Sequence, residues 1–161
     1  MEKPHLKKRH RMRKKDISKL EEQLELVLGI SLGTKDVDSG DLGGETVYIV
    51  DNQIVAIDSE QGPYLTLRGL LKYTPKRYHV TVDDGAVSFL YNGADVMSPG
   101  VLEADPDIQP GDIVWVKEIK HGRPLVIGKA LVTGPEMVDA TKGKAIKTIW
   151  YLNDDLWNVE T

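Results

Sequence analysis

Cysteine is absent from this chain of 161 residues. That absence excludes a disulfide framework, a thiolate nucleophile and any zinc site built on cysteine. Histidine is scarce as well, and His5, His10, His79 and His121 show no HExxH or HxH spacing, so no metal centre is expected. No GxxxxGK[ST] loop, no GxGxxG after a strand and no GxSxG elbow occurs, which removes the usual phosphate-cradling and nucleophile signatures. Asp83-Asp84 and Asp154-Asp155 read as helix caps and turns rather than as acid–base pairs. The chain is therefore expected to be non-catalytic and to carry no cofactor. No apolar run reaches 18 residues, and no apolar stretch follows the first charges. Neither a membrane span nor a secretory signal is expected, and the expected compartment is the cytoplasm.

What the chain does have is an ordinary globular balance, 40% apolar and 29% charged residues, enough to supply a core. The net charge of −4 conceals an asymmetry: residues 1–15 hold eight Lys or Arg and one Glu, whereas residues 16–161 hold 13 basic and 24 acidic side chains. A basic arm on an acidic body is a pattern of nucleic-acid partners, and equally that of a solvated terminus.

Periodicity organises the first half. Ser18 and Glu21 stand at capping-box spacing, and Leu20, Leu24, Val27 and Leu28 share a helical face that Gly29 is placed to end. Arg9 to Arg13 read as a charged edge strand. Residues 33–44, rich in glycine and aspartate, read as a mobile loop. Thr46–Val50 and Ile54–Ile57 flank Asp51-Asn52-Gln53 as a hairpin, and Tyr64 to Tyr73 read as a short apolar helix closing a first domain. Thr74-Pro75-Lys76-Arg77 is the expected junction. Beyond it, Asp83 or Asp84 caps a helix with Ala86, Phe89, Leu90 and Gly93 or Ala94 inward. Strands are expected at 113–116, 125–132 and 145–152, the first of them covered on both faces.

The most informative stretch is Phe89 to Val101, FLYNGADVMSPGV, where glycine and proline punctuate a passage whose backbone can approach a phosphate. With it come Gly85-Ala86, Gly111-Asp112, Gly128, Lys142-Gly143-Lys144 and Asp154-Asp155-Leu156-Trp157. This ordered set resembles the PUA domain, a small RNA-binding β-barrel. Glu60-Gln61-Gly62-Pro63-Tyr64, Thr66-Leu67-Arg68 and Tyr151-Leu152-Asn153-Asp154 add a closer similarity to the malignant-T-cell-amplified-sequence family and its archaeal relatives. The resemblance covers nearly the whole chain and is firmest from about Gly62.

The resemblance implies an α+β protein: an N-terminal α/β domain with a basic arm over residues 1–74, then a PUA-type small β-barrel with flanking helices over 75–161. It implies RNA binding at Gly93, Ala94, Met97, Pro99 and Gly100, with Lys129, Lys142, Lys144 and Lys147 available for phosphates. The residues themselves leave an alternative open: Gly93 serves as a helix cap, Pro99-Gly100 as a turn, and each lysine as solvated surface. Trp150, Tyr151 and Trp157 are open to both base stacking and packing. The expected ligand is tRNA or small-subunit ribosomal RNA, in a translation-associated role. The family also implies the small ribosomal subunit and a translation-factor partner, density-regulated protein in eukaryotes. Two other readings remain, a protein–protein adaptor for a translation factor and a non-catalytic subunit of an RNA-modification enzyme.

Overall fold

The computed structural model describes residues 4–152 and 154–161, and it divides into two compact units, Met1–Pro75 with Asp155–Thr161, and Lys76–Asp154. The sequence reading runs the second domain to residue 161; the structure packs the segment from Asp155 onward with the first unit. There Arg68 Nη2 donates to the Trp157 carbonyl at 2.8 Å, and the guanidinium lies 4.0 Å from the Trp157 ring centre. Asn153, part of the quoted Tyr151–Asp154 motif, lies outside the described residues.

The first unit is an antiparallel meander in sheet order β1-β2-β3-β4-β5, built from β1 (Leu6–Arg11), β2 (Asp38–Leu42), β3 (Glu45–Val50), β4 (Gln53–Ile57) and β5 (Tyr64–Leu65). The basic segment is thus edge strand β1 from Leu6, and α1 (Lys14–Leu28) follows it. In α1, Ile17, Leu20, Leu24 and Leu28 are buried on one helical face, each worth about 1.5–3 kcal/mol over exposure. Gly29 ends the helix at φ 69° and donates its N–H to the Glu25 carbonyl. Ser18 does not cap α1: the helix begins four residues earlier, with Arg13 at the N-cap and no side-chain bond there. The β3–β4 turn places Asp51 and Asn52 at φ 50° and 64°, the conformation a two-residue hairpin turn demands.

Residues 33–44 are not a loop throughout. Asp38–Leu42 forms β2, and its pairing with β1 and β3 supplies backbone partners that local composition does not announce. The expected helix over 64–73 is likewise strand β5 followed by α2 (Leu67–Lys72), whose N-cap Thr66 accepts from the Gly69 N–H. A Cβ on Gly69 would stand 2.0 Å from the Val55 carbonyl oxygen, so only glycine lets α2 lie this close to β4.

The second unit contains β6 (His79–Val82), α3 (Val87–Tyr91), β7 (Val96–Met97), β8 (Val101–Ala104), β9 (Ile113–Glu118), β10 (Pro124–Ala130), α4 (Gly134–Asp139) and β11 (Lys144–Tyr151). Its sheet, ordered β7-β11-β10-β9-β6-β8, is antiparallel apart from the parallel β6–β9 pair and curls into a half-barrel. Val80, Val116, Leu125, Val126 and Ile146 are among the residues closing its core. Val114, Trp115 and Val116 are buried in succession, so β9 is covered on both faces. The β10 strand ends at Ala130, two residues short of the expected limit, and α4 was not expected; Thr133 and Glu136 cap it reciprocally.

Glu118, buried at the end of β9, folds the following turn around its carboxylate. It accepts from the backbone N–H groups of His121 and Arg123, with the Arg123 guanidinium 3.8 Å away. Burial pushes its pKa up, but these donors outweigh burial and hold it below the ordinary carboxylate value.

Candidate functional site

A groove of about 490 Å³ opens on the second unit between the α3 segment and the passage into β8. Asp83 occupies the cap position before a 3-10 turn over Asp84–Ala86, without a side-chain cap bond, and α3 continues from Val87. Leu90 faces the core. Phe89 does not: the inward orientation expected for it is overturned, and its ring is 67% exposed at the groove. The physical reason is the short helix, whose five residues bury Leu90 as their single fully covered side chain and turn the neighbouring ring outward.

The opposite wall is the segment from Ala94 to Gly100, which includes β7 and is pinned to β11. The Thr148 N–H donates to Asp95 Oδ1 at 2.9 Å, the Thr148 hydroxyl donates to the Ala94 carbonyl at 2.8 Å, and the Ser98 N–H donates to the Gly143 carbonyl at 2.9 Å. Lys144 Nζ lies 3.0 Å from Asp95 Oδ2. The backbone donor from Thr148, helped by Lys144 and Lys147, holds the Asp95 carboxyl below its usual value. Asp95 therefore fixes the segment and one lysine together, a role no spacing in the sequence announced.

Among the residues expected to touch RNA, Ala94, Met97, Pro99, Gly100 and Lys144 line this one groove. Met97 is 47% exposed there, beside Phe89. A Cβ on Gly100 would meet only Ala86 Cβ, at an ordinary 3.5 Å, so this glycine leaves open space. Gly93 is not a lining residue: at φ 85° it turns the chain after α3, and a Cβ there would stand 2.9 Å from the Tyr151 ring. Tyr151 accordingly packs rather than presenting its face, and the Asp154 carboxylate accepts from its backbone N–H.

Lys129 and Lys147 lie apart from the groove lining but directly opposite each other across β10 and β11, both exposed and neither in an ion pair among the described residues. Like charges in that relation repel and cost stability unless an anion lies between them. Lys142 is exposed in the loop before β11. The close approach of the two strands depends on Gly128, whose Cβ would stand 2.4 Å from Ile146 Cγ2 and 2.6 Å from the Lys147 carbonyl oxygen.

The arrangement offers an apolar trough with one exposed aromatic ring, lysine at its rim, and a cation pair on the adjoining strands. Such a surface suits stacking of bases or ribose against the trough and phosphates against lysine.

Comparison with known proteins assigns the fold. The PUA domain family matches residues 78–152. The chain is a PUA-domain protein. An uncharacterized protein of Methanocaldococcus jannaschii is 38% identical over 157 residues, covering 95% of this chain and 97% of that protein, and the two belong to one family. Malignant T-cell-amplified sequence 1 of Rattus norvegicus is 31% identical over 119 residues, 71% of this chain and 65% of that protein. Translation machinery-associated protein 20 of Saccharomyces cerevisiae is 30% identical over 118 residues, 70% of this chain and 65% of that protein. The chain thus spans just under two thirds of these two eukaryotic relatives. A conserved PUA domain protein from Thermoplasma acidophilum has a TM-score of 0.83 at 26% identity, covering 92% of this chain and 96% of its own.

Proposed function

We propose that this PUA-domain protein binds structured RNA, tRNA or small-subunit ribosomal RNA, without catalysis and in a translation-associated role in the cytoplasm. The family supports an RNA ligand, and the name of the yeast relative supports the setting. The observation that carries the reading is the pairing of an apolar trough with Lys129 and Lys147 on adjoining strands, neither in an ion pair among the described residues. Bases or ribose rest on Phe89, Met97 and Pro99 while Lys144, Lys147 and Lys129 hold phosphates, with Gly100 keeping the trough open. Lys142 and the basic strand from Lys7 raise the encounter rate through their field.

Binding of a tRNA to the full chain, measured as a function of salt, tests the reading. Lys129→Gln with Lys144→Gln lowers the slope of log affinity against log salt by about 0.7–0.9 for each lost phosphate contact. Gly100→Glu fills the trough with a negative side chain and abolishes binding. A folded G100E protein with unchanged affinity refutes the groove assignment. The adaptor reading calls for an apolar patch on α2, where Leu71, 56% exposed, stands beside buried Leu67 and Leu70. One exposed leucine is ordinary surface.

A further inference from the structure

The first unit contains its own concavity, an open depression of about 550 Å³ lined by β1 to β3, α1 and Asp58, whose charged lining residues Arg13, Asp16, Lys19 and Asp58 are exposed. Across the sheet, His10 pairs with Ser39 and Ser39 with Tyr48, so these three side chains form one row on one face. Ser39 is 8% exposed and lines the space, yet its hydroxyl makes no hydrogen bond among the described residues. The Tyr48 hydroxyl likewise has no hydrogen-bond partner there. Burial, then the charges of Asp58 and Asp16, push its pKa up to about 12, so it remains a donor at every physiological pH. Arg13 and Lys19 line the same space and take part in no ion pair among the described residues. Arg11, by contrast, is already paired with Asp36 and Asp38.

Neither hydroxyl is bonded to protein among the described residues, and both are open to the space, so their donor and acceptor capacity is available to a bound group. Here two neighbouring hydroxyls, two unpaired cations and two carboxylates line one cavity of a size suited to a small ligand. The cations and the open first turn of α1, whose N-cap lacks a side-chain acceptor, take an anion. The carboxylates take hydrogen-bond donors. A nucleotide combines both requirements in one molecule.

We propose that the cavity bounded by Arg13, Lys19, Ser39, Tyr48 and the carboxylates of Asp16 and Asp58 binds a phosphorylated nucleoside with an amino-bearing base, free or at an unpaired position of an RNA strand. Arg13 and Lys19 hold the phosphate, Asp58 and Asp16 accept from the exocyclic amine or ribose hydroxyls, and Ser39 and Tyr48 complete the polar floor. This site is separate from the groove of the second unit and does not rest on the function proposed for it.

The test is two-dimensional amide NMR of the full chain titrated with adenosine, cytidine and uridine 5′-monophosphates, adenosine and inorganic phosphate. The expected result is saturable shifts at residues 10–20, 39 and 48 with the adenosine and cytidine nucleotides, at least tenfold weaker binding of adenosine and of inorganic phosphate, and weaker binding of the uridine nucleotide. Tyr48→Phe keeps the ring and loses one donor, weakening the adenosine nucleotide about five- to tenfold. Lys19→Gln, at an exposed position, lowers affinity and salt dependence while the thermal midpoint stays unchanged. A hexaadenylate that binds tenfold tighter than the mononucleotide, shifting the same residues, identifies the strand as the source; equal affinity identifies the free nucleotide. Absence of shifts at these residues with every nucleotide overturns the proposal. So does inorganic phosphate binding as tightly as the nucleotides, because the cavity then reads charge alone.

Discussion

The two concavities of this chain offer opposite chemistry. The groove of the second unit is walled by Phe89, Met97, Pro99 and Gly100, with lysine at its rim, whereas the cavity of the first is floored by hydroxyls and ringed by charges of both signs. An apolar wall with exposed rings tolerates many bases, because every base has a face to stack, and its cations respond to salt rather than to sequence. A polar cavity selects by matching donors to acceptors, so a ligand lacking one group forfeits a hydrogen bond there. The difference teaches that, on the proposed roles, the groove would hold a strand with little regard to base while the cavity would choose among ligands.

Framework substitutions separate the groove from the sheet that carries it and have the largest expected effect. Gly128→Ala forces β10 away from β11 and should destabilise the protein by about 3 kcal/mol, measured by urea unfolding. Gly100→Ala, with open space for its methyl group, should stay within about 0.5 kcal/mol of wild type. Equal losses would show that the groove glycine is as structural as the strand glycine.

The buried carboxylate of Glu118 ranks next. Glu118→Gln should cost about 1–3 kcal/mol at pH 7, since it weakens charge-assisted bonds to the His121 and Arg123 N–H groups. Because the folded pKa is depressed, the stabilisation is complete above the unfolded carboxylate pKa of about 4.3 and is lost as pH falls through the folded value. The gap between wild type and E118Q therefore narrows below about pH 4. A gap constant down to pH 2 would contradict this, and unfolding followed from pH 2 to 7 decides it.

Smaller still, and aimed at the contrast itself, is Phe89→Ala. A ring this exposed contributes little to folding, so stability should change by less than about 0.5 kcal/mol, while RNA affinity falls by about 1–2 kcal/mol if a base stacks on it. The loss should be similar for different RNA sequences; a strongly base-dependent loss would make the groove a reader and erase the distinction drawn above.

Legibility followed locality. The hairpin of β3 and β4, the glycine stop of α1 and the doubly covered β9 are written in residues close together in the chain, and the structure contains each; the charged edge strand is present too, but over Leu6–Arg11 rather than Arg9–Arg13, with Arg13 instead at the N-cap of α1. What depends on distant partners was not readable. The segment Asp38–Leu42, DSGDL, has no strand pattern of its own and is a strand because β1 and β3 lie on either side. Phe89 turns outward because α3 is a single turn and a half, too short for the face assumed from its spacing. Asp95 and Glu118 act through backbone donors at Thr148 and His121, which no side-chain motif marks. A signal for α4 was present in Thr133-Gly134-Pro135-Glu136, a capping box with proline in the first turn. The groove residues clustered at Ala94, Met97, Pro99 and Gly100 are near neighbours in sequence. Lys129 and Lys147 meet only through strand pairing.

The most direct test of the central claim is crosslinking of the full chain to tRNA and ribosomal RNA at moderate salt, with the crosslinked peptides mapped for wild type and G100E. The account predicts crosslinks between Phe89 and Val101 and at Lys129, Lys144 and Lys147, lost in the variant. Crosslinks confined to Lys7–Lys15, or unchanged by G100E in a folded protein, would contradict it.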